Sequence, residues 1–206
     1  MILSTYYFKS WAYEQALGWM QQAYDEVVDN AAQIKIAHGS HDQKIITLGR
    51  SYKHNELENY ERIKNTKIIV TERGGGPTAH EPGQLVLYPV LNLITHKLSI
   101  KDLIYLVEQA MINFLACNNI CAKRSKISHG IFVNNKKIGF VGMRIKNNVS
   151  YHGCAINIFN NAHIFKLFPP CNIANLPVTS LRYHTNLKYK ISYYSKLLCA
   201  NFMNLL

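Results

Sequence analysis

Residues 74–76 are three consecutive glycines followed at once by Pro77, and no regular element can run through them. Glycine loses more backbone freedom on ordering than any other residue, and proline lacks an amide donor, so this stretch is a loop. It joins a strand-like run at 67–70 to another at 84–93. A backbone bare of side chains lets a ligand approach its N–H groups closely, and here Arg73 and His80 flank it. The spacing matches neither the P-loop nor G-x-G-x-x-G. Taken alone, a tight hairpin without a ligand explains it as well.

The rest of the chain supplies helices and strands in irregular order. Residues 11–32 place Tyr13, Leu17, Met20, Tyr24, Val27 and Ala31 at steps of three or four, the mark of an amphipathic helix. A second helix starts near Ser99, where Ser99 and Asp102 form a capping box, and continues through Leu103, Val107, Ala110 and Phe114 on one face. A third, weakly amphipathic, starts near Ile191. Residues 44–48 are strand-like, and 127–158 predict a meander of three strands, of which 150–158 is the clearest. Its turns fall at Asn134-Asn135 and Asn147-Asn148, because asparagine tolerates positive φ. This order implies an α+β fold, a mixed or antiparallel sheet flanked by helices, and not a parallel Rossmann sheet. With no repeat, low-complexity tract or linker, residues 1–206 are expected to form a single domain.

Composition narrows the class. Hydrophobic residues make up 48% and charged residues 17%, which fits a globular chain and not a disordered one. No apolar run reaches the roughly 18 residues of a membrane span. The first twenty residues lack a basic start, an apolar core and a small-residue cleavage site, so a cytoplasmic location is expected. The five cysteines, 117, 121, 154, 171 and 199, suit free thiols in a reducing compartment. Cys117 and Cys121 lack partner ligands at zinc spacing, and no metal is expected.

Charge is unevenly spread over a net +11: all twelve acidic residues lie between Glu14 and Glu108, while 109–206 carry twelve Lys and Arg. A +12 half attracts polyanions, whether nucleic acid, lipid headgroups or an acidic protein. Compositional drift toward Asn, Ile and Lys explains the same excess, so charge alone does not choose. No zinc-finger, RRM or helix-turn-helix signature supports nucleic-acid binding.

Two further segments carry reactive side chains. Pro169-Pro170 must leave helix and strand alike, making Cys171 a loop residue in a region free of carboxylates, where nearby cations would favour its thiolate. Lys137 opens a mostly apolar strand, whereas its neighbour Lys136 has the position of an ordinary turn lysine. Alone, the lysine pair reads as a solvated turn and the cysteine as structural.

Together these segments resemble the lipoyl(octanoyl) transferases of lipoate biosynthesis, related in fold to biotin- and lipoate-protein ligases. Arg73-Gly-Gly-Gly-Pro-Thr-Ala-His80, with Gln84 and Tyr88, is similar to that family's R-G-G-x-x-T-aromatic-H…Q…Y signature. The stretch from Lys137 through Phe140, Val141 and Gly142 resembles its lysine strand, and His152-Gly-Cys-Ala-Ile-Asn157 its H-G-x-A-L-N segment. Pro170-Cys171, followed by Val178-Thr-Ser-Leu181, resembles its nucleophile loop, and Thr47-Leu-Gly-Arg50 also agrees.

The resemblance implies transfer of an octanoyl group from octanoyl-acyl carrier protein to a lysine of lipoyl domains, those of 2-oxoacid dehydrogenase complexes and of the glycine cleavage H protein. It implies Cys171 as nucleophile and Lys137 as its partner, with no cofactor, nucleic acid or membrane, and a monomer. It assigns substrate binding to Arg73, Gly74, Gly75, Gly76, Pro77, Thr78, Ala79, His80, Phe140, Val141, Gly142, Gly153, Cys154 and Ala155, while His80 and His152 position groups and do not act as bases. Three residues depart from the pattern: Ala79 replaces an aromatic, which predicts a wider acyl pocket, Glu81 a small residue, and Asn172 a glycine. The alternatives on the same fold are an ATP-dependent lipoate-protein ligase, which would need no cysteine, and an octanoyl or lipoyl amidotransferase.

Overall fold

The structure, a computed structural model, describes residues 2–52, 63 and 66–206. Strands are β1 (Ile2–Trp11), β2 (Gln33–His41), β3 (Ile45–Leu48), β4 (Lys67–Val70), β5 (Pro77–His80), β6 (Gln84–Leu91), β7 (Lys123–Arg124), β8 (Gly130–Val133), β9 (Lys136–Lys146) and β10 (Val149–Asn157). The helices are α1 (Tyr13–Asp29), α2 (Ile100–Ala116) and α3 (Ile191–Met203). Seven strands form a mixed sheet in the order β1-β2-β6-β10-β9-β8-β7, in which only β1 and β2 run parallel. A smaller sheet, β4-β3-β5, stands beside it.

Strand β6 is buried over its whole length, and its alternation separates two cores. Leu85, Leu87 and Leu91 face α2 and α3 together with Leu103, Val107, Phe114, Leu198 and Phe202. Val86, Tyr88 and Val90 face the other way, under Ala16, Met20, Ala23 and Val27 of α1. Helices therefore cover both faces, and the α+β architecture expected from the sequence is the one observed.

Local chemistry explains most boundaries. At the start of α2, Ser99 Oγ accepts the Asp102 amide at 3.1 Å, and an Asp102 oxygen accepts the Ser99 amide at 2.8 Å. Both Asn-Asn turns have positive φ at each residue, 48° and 62° at 134–135 and 48° and 61° at 147–148, which matches the twist of the strands they join. Strands β1 and β2 had no counterpart among the expected elements, and the expected loop after Gly76 becomes β5 from Pro77.

Across β9 and β10, Gly142 and Gly153 stand opposite one another and leave a bare patch on the sheet. A Cβ at Gly153 would lie 2.0 Å from the Leu87 carbonyl oxygen, closer than any side chain allows. Gly153→Ala is therefore expected to cost about 3 kcal/mol, read as a lower urea midpoint at unchanged slope. A midpoint equal to that of the natural chain would show that β10 and β6 do not approach this closely.

Candidate active site

Cys171 lies in a single 3-10 turn, Pro170–Asn172, with φ 58° and ψ 23°. Asn172 follows with φ 60°, a conformation asparagine bears better than other non-glycine residues. Its side-chain amide donates to the Ser51 carbonyl at 2.8 Å and covers Gly76, where a Cβ would meet it at 2.6 Å. The turn is thus clamped over the glycine loop. The loop in turn docks on β9 through the Gly74 amide, which donates to the Met143 carbonyl at 2.9 Å. Gly75, at φ 85°, makes the bend between them.

Lys137 is fully buried. Ile138 is bulged out of the ladder between β8 and β9, since Ile131 pairs with Gly139 and Phe132 with Lys137, and Lys137 turns its own backbone groups away from β8. Its amide donates instead to Pro177 O at 2.7 Å, and its carbonyl accepts the Thr179 amide at 2.9 Å. These bonds tie the lysine to the segment that follows Cys171. The ammonium donates to Ser128 Oγ at 2.7 Å and to His129 O at 2.5 Å, between the rings of Phe132 and Phe140. Burial lowers its affinity for a proton, while Cys171 and Glu108 act against that loss.

Arg73 is the second buried cation. Its Nε donates to Thr47 Oγ1 at 2.9 Å, Nη2 to Thr47 O at 2.5 Å and Nη1 to Gly74 O at 3.0 Å. No carboxylate among the described residues pairs with it. Burial pulls its pKa down, and the groups that oppose this are Tyr13, Cys171 and Tyr88, two phenols and a thiol.

Beyond Arg73 lies a cluster of neutral rings. A carbonyl can only accept, so the 3.1 Å contact of His41 Nδ1 with Trp11 O puts the proton on Nδ1, and Tyr88 donates its hydroxyl to Nε2 at 2.8 Å. Likewise Gln84 uses its NH2 on Ala79 O and Asn157 Oδ1, so its carbonyl oxygen accepts from His80 Nδ1 at 2.7 Å. Burial pushes His41 down to about 4 and His152 to about 3, and lowers His80 well below its usual value. Burial also pushes Tyr13 and Cys154 up to about 12, so the cluster carries no charge at neutral pH. His152 has φ 57° in mid-strand, which no sequence pattern announced.

These parts surround a narrow cavity open to solvent, about 490 Å3 with its mouth counted. Of the residues expected to bind substrate, 73–76, 140–142 and 153–155 line it, with Thr78, His80 and Cys171. Pro77 and Ala79 do not line it. Alternation along β5 turns Ala79 into a separate cluster with Ile46 and Phe165, so its small side chain does not widen this cavity directly. Tyr13, Tyr88 and His152 complete the wall. Tyr13 shows in sequence only as one more aromatic on an apolar helix face. The Thr78 hydroxyl is buried with no partner among the described residues. Glu81 is structural: its Oε1 accepts from Asn160 at 2.8 Å and from the Ala162 amide at 3.1 Å. Among the described residues no cluster of His, Cys, Asp or Glu could hold a metal, and no helix is long and apolar enough to cross a membrane.

The lipoyl protein ligase A/B catalytic domain model matches residues 7–203. An octanoyltransferase of Xylella fastidiosa (strain 9a5c) is 36% identical over 160 residues, covering 78% of this chain and 68% of that protein. A probable octanoyltransferase of Pyrobaculum arsenaticum is 34% identical over 170 residues, covering 82% and 76%. The chain belongs to the octanoyltransferases of the lipoyl protein ligase A/B family. In fold it is similar to lipoate-protein ligase A bound with ATP, with a TM-score of 0.74 at 15% identity, covering 100% of this chain and 85% of that one. The apo biotin protein ligase of Aquifex aeolicus follows at a TM-score of 0.52 and 11% identity, covering 99% and 68%. At these identities the likeness concerns the fold alone.

The neutral histidines have a consequence for stability. Unfolded, His41 and His152 titrate near 6.5; folded, they titrate near 4 and 3, as does His38 near 4 beside Ser195. The unfolded chain therefore binds more protons across this window, so stability is full above about pH 6.5 and falls as pH drops toward 4. Each histidine contributes a slope of about 1.4 kcal/mol per pH unit there. His41→Gln should flatten the urea-midpoint profile between pH 6.5 and 4.5 by one such increment. An unchanged slope would mean that His41 is not held neutral.

Proposed function

We propose that this chain moves an octanoyl group from octanoyl-acyl carrier protein to a lysine of lipoyl domains, those of 2-oxoacid dehydrogenase complexes and of the glycine cleavage H protein, through an acyl thioester on Cys171. One observation carries this reading. Cys171 stands on the wall of a cavity that bears no carboxylate among the described residues, within electrostatic reach of two buried cations, Lys137 and Arg73.

A thioester is already activated, so the exchange needs no ATP. The Cys171 thiolate forms a bond to the acyl carbon, the carrier's C–S bond breaks, and the departing thiolate takes a proton from the Lys137 ammonium. The acceptor amine then bonds to the same carbon and the Cys171 C–S bond breaks. The amine's proton passes to the now neutral Lys137, restoring the ammonium and the thiolate. Charge on the acyl oxygen in each tetrahedral state has the Thr78 hydroxyl as an unpaired donor on the same wall and the Arg73 guanidinium nearby. The uncharged rings and the Phe140, Val141 and Ala155 side chains suit an alkyl tail.

The mouth is basic. A groove beside the Cys171 turn is lined by Pro169, Pro170 and Val178 with Lys136, Lys166, His163 and His184, and by no acidic residue among the described ones. That supports acidic protein partners and gives the charge asymmetry a place. Raising the salt from low to high should lower the second-order rate of acyl transfer by tenfold or so. A salt-independent rate would remove electrostatic steering from this account.

The deciding test is intact mass after incubation with octanoyl-acyl carrier protein and no ATP. A gain of one octanoyl group, released by neutral hydroxylamine and absent in Cys171→Ala, is expected. Modification of a lipoyl domain only with ATP and free acid, surviving Cys171→Ala, would move the chain to the ligase chemistry.

A further inference from the structure

The two oxygens that hold the Lys137 ammonium lie on one short stretch, Ser128 and His129, just before β8. That stretch ends at Gly130, whose φ of 119° excludes ordinary side chains. A Cβ there would lie 3.0 Å from Lys137 Nζ and 2.2 Å from Gly139 O, so the turn is pressed against β9. Glu108, buried on α2, accepts the Gly130 amide at 2.7 Å through Oε1 and Arg124 Nε at 3.1 Å through Oε2. Its carboxylate is therefore one residue away from the ammonium without touching it.

We propose that Glu108 is the positioning residue of Lys137: it seats the turn at 128–130 that holds the ammonium, and among the described residues it supplies the carboxylate that acts on that charge. The inference rests on Lys137 acting as described above. The charged and titratable groups around the lysine are Cys171 from the nucleophile turn, Glu108 from α2 and Arg124 from β7. His129 adds its Nδ1 at 3.9 Å from Glu108 Oε1, while Lys136 points outward. The segment from Pro177 to Thr179 and the rings of Phe132 and Phe140 add no charge.

Two variants separate positioning from mere structure. Glu108→Gln keeps an acceptor for the Gly130 amide but removes the charge, so Lys137 gives up its proton at lower pH. Acylation needs the ammonium and the transfer step needs the free amine, so the alkaline limb of the first and the acid limb of the second both move to lower pH. Arg124→Gln frees Glu108 from its other cation and moves both limbs to higher pH. Glu108→Ala also loses the turn, and acylation should slow by about 10²-fold.

The experiment is single-turnover acylation by octanoyl-acyl carrier protein, followed by intact mass across pH, then transfer to a lipoyl domain, with all variants in a His129→Gln background. Opposite displacements in Glu108→Gln and Arg124→Gln are expected. Limbs that stay in place, or move the same way, in variants whose Lys137→Ala counterpart is inactive overturn the role of Glu108 alone. Wild-type acylation and transfer by Lys137→Ala would instead overturn the part given to the lysine, and this inference with it. Should Glu108→Gln fail to fold, the direction of the Arg124→Gln displacement decides.

Discussion

A buried ammonium is the constraint around which the Cys171 side of this protein is arranged. Removing Lys137 from water carries a large desolvation cost, and the structure offsets it in several small ways. Two oxygen acceptors take its protons, two aromatic faces lie about 5 Å from it, and a carboxylate sits one residue beyond. Each demands something of the backbone. Beside the bulge at Ile138 the lysine's own amide and carbonyl bond Pro177 and Thr179, and the positive φ of Gly130 lets the acceptor turn reach it. The strand that carries the lysine is thereby bonded to the segment just beyond Cys171. The lysine and the cysteine are brought together by main-chain hydrogen bonds, which side-chain motion cannot easily undo.

The same logic divides the cavity by charge. At the cysteine end stand cations with neutral partners: Arg73 is satisfied by one hydroxyl and two carbonyls, none of them anionic. Any negative charge that forms there meets a positive field already in place, with little reorganisation required. Elsewhere on the wall His80 has its tautomer set by an amide oxygen, with His41 packed behind it and set by a carbonyl, and burial keeps both neutral. An alkyl chain lying along these rings would displace no counterion and meet no charge. On the proposed reading the cavity would stabilise an anion beside Arg73 and take hydrocarbon against its uncharged rings.

Much of this is legible in the sequence itself. The capping box at Ser99, the Asn-Asn hairpins, the strand at 67–70 and the helix from Ile191 declare themselves through local chemistry, and local chemistry survives folding. Strand β2 did not, because it is buried along nearly its whole length and carries Lys35, His38, Gly39 and His41, so no alternation marks it. Strand β1 is an edge strand with most of its residues exposed, and it likewise lacks an apolar face. At the site, motif spacing picked out the cavity wall but not its sidedness. Pro77 and Ala79 share a segment with Thr78 and His80 yet point elsewhere, a distinction that appears only once 77–80 is known to be a strand. Tyr13, His41 and Glu108 escaped notice because their meaning comes from partners distant in sequence, such as Tyr88 for His41 and Gly130 for Glu108.

Fold likeness to an ATP-bound ligase and to a biotin ligase leaves the chemistry open, since one scaffold carries several reactions and side chains decide among them. What this chain adds is visible in where its backbone departs from ordinary angles. Most non-glycine residues with positive φ are asparagines in turns, which bear that conformation cheaply. Cys171 and His152 have no such excuse, and both stand on the cavity wall. A left-handed residue of either type costs on the order of 1–2 kcal/mol, so the surrounding structure must hold it there. For Cys171 the holding is explicit: two prolines before it and Asn172 bound to Ser51 after it. In the proposed reaction a nucleophile fixed in this way would lose little freedom when a thioester arrives, and the stability given up in the turn would become orientation at the sulfur.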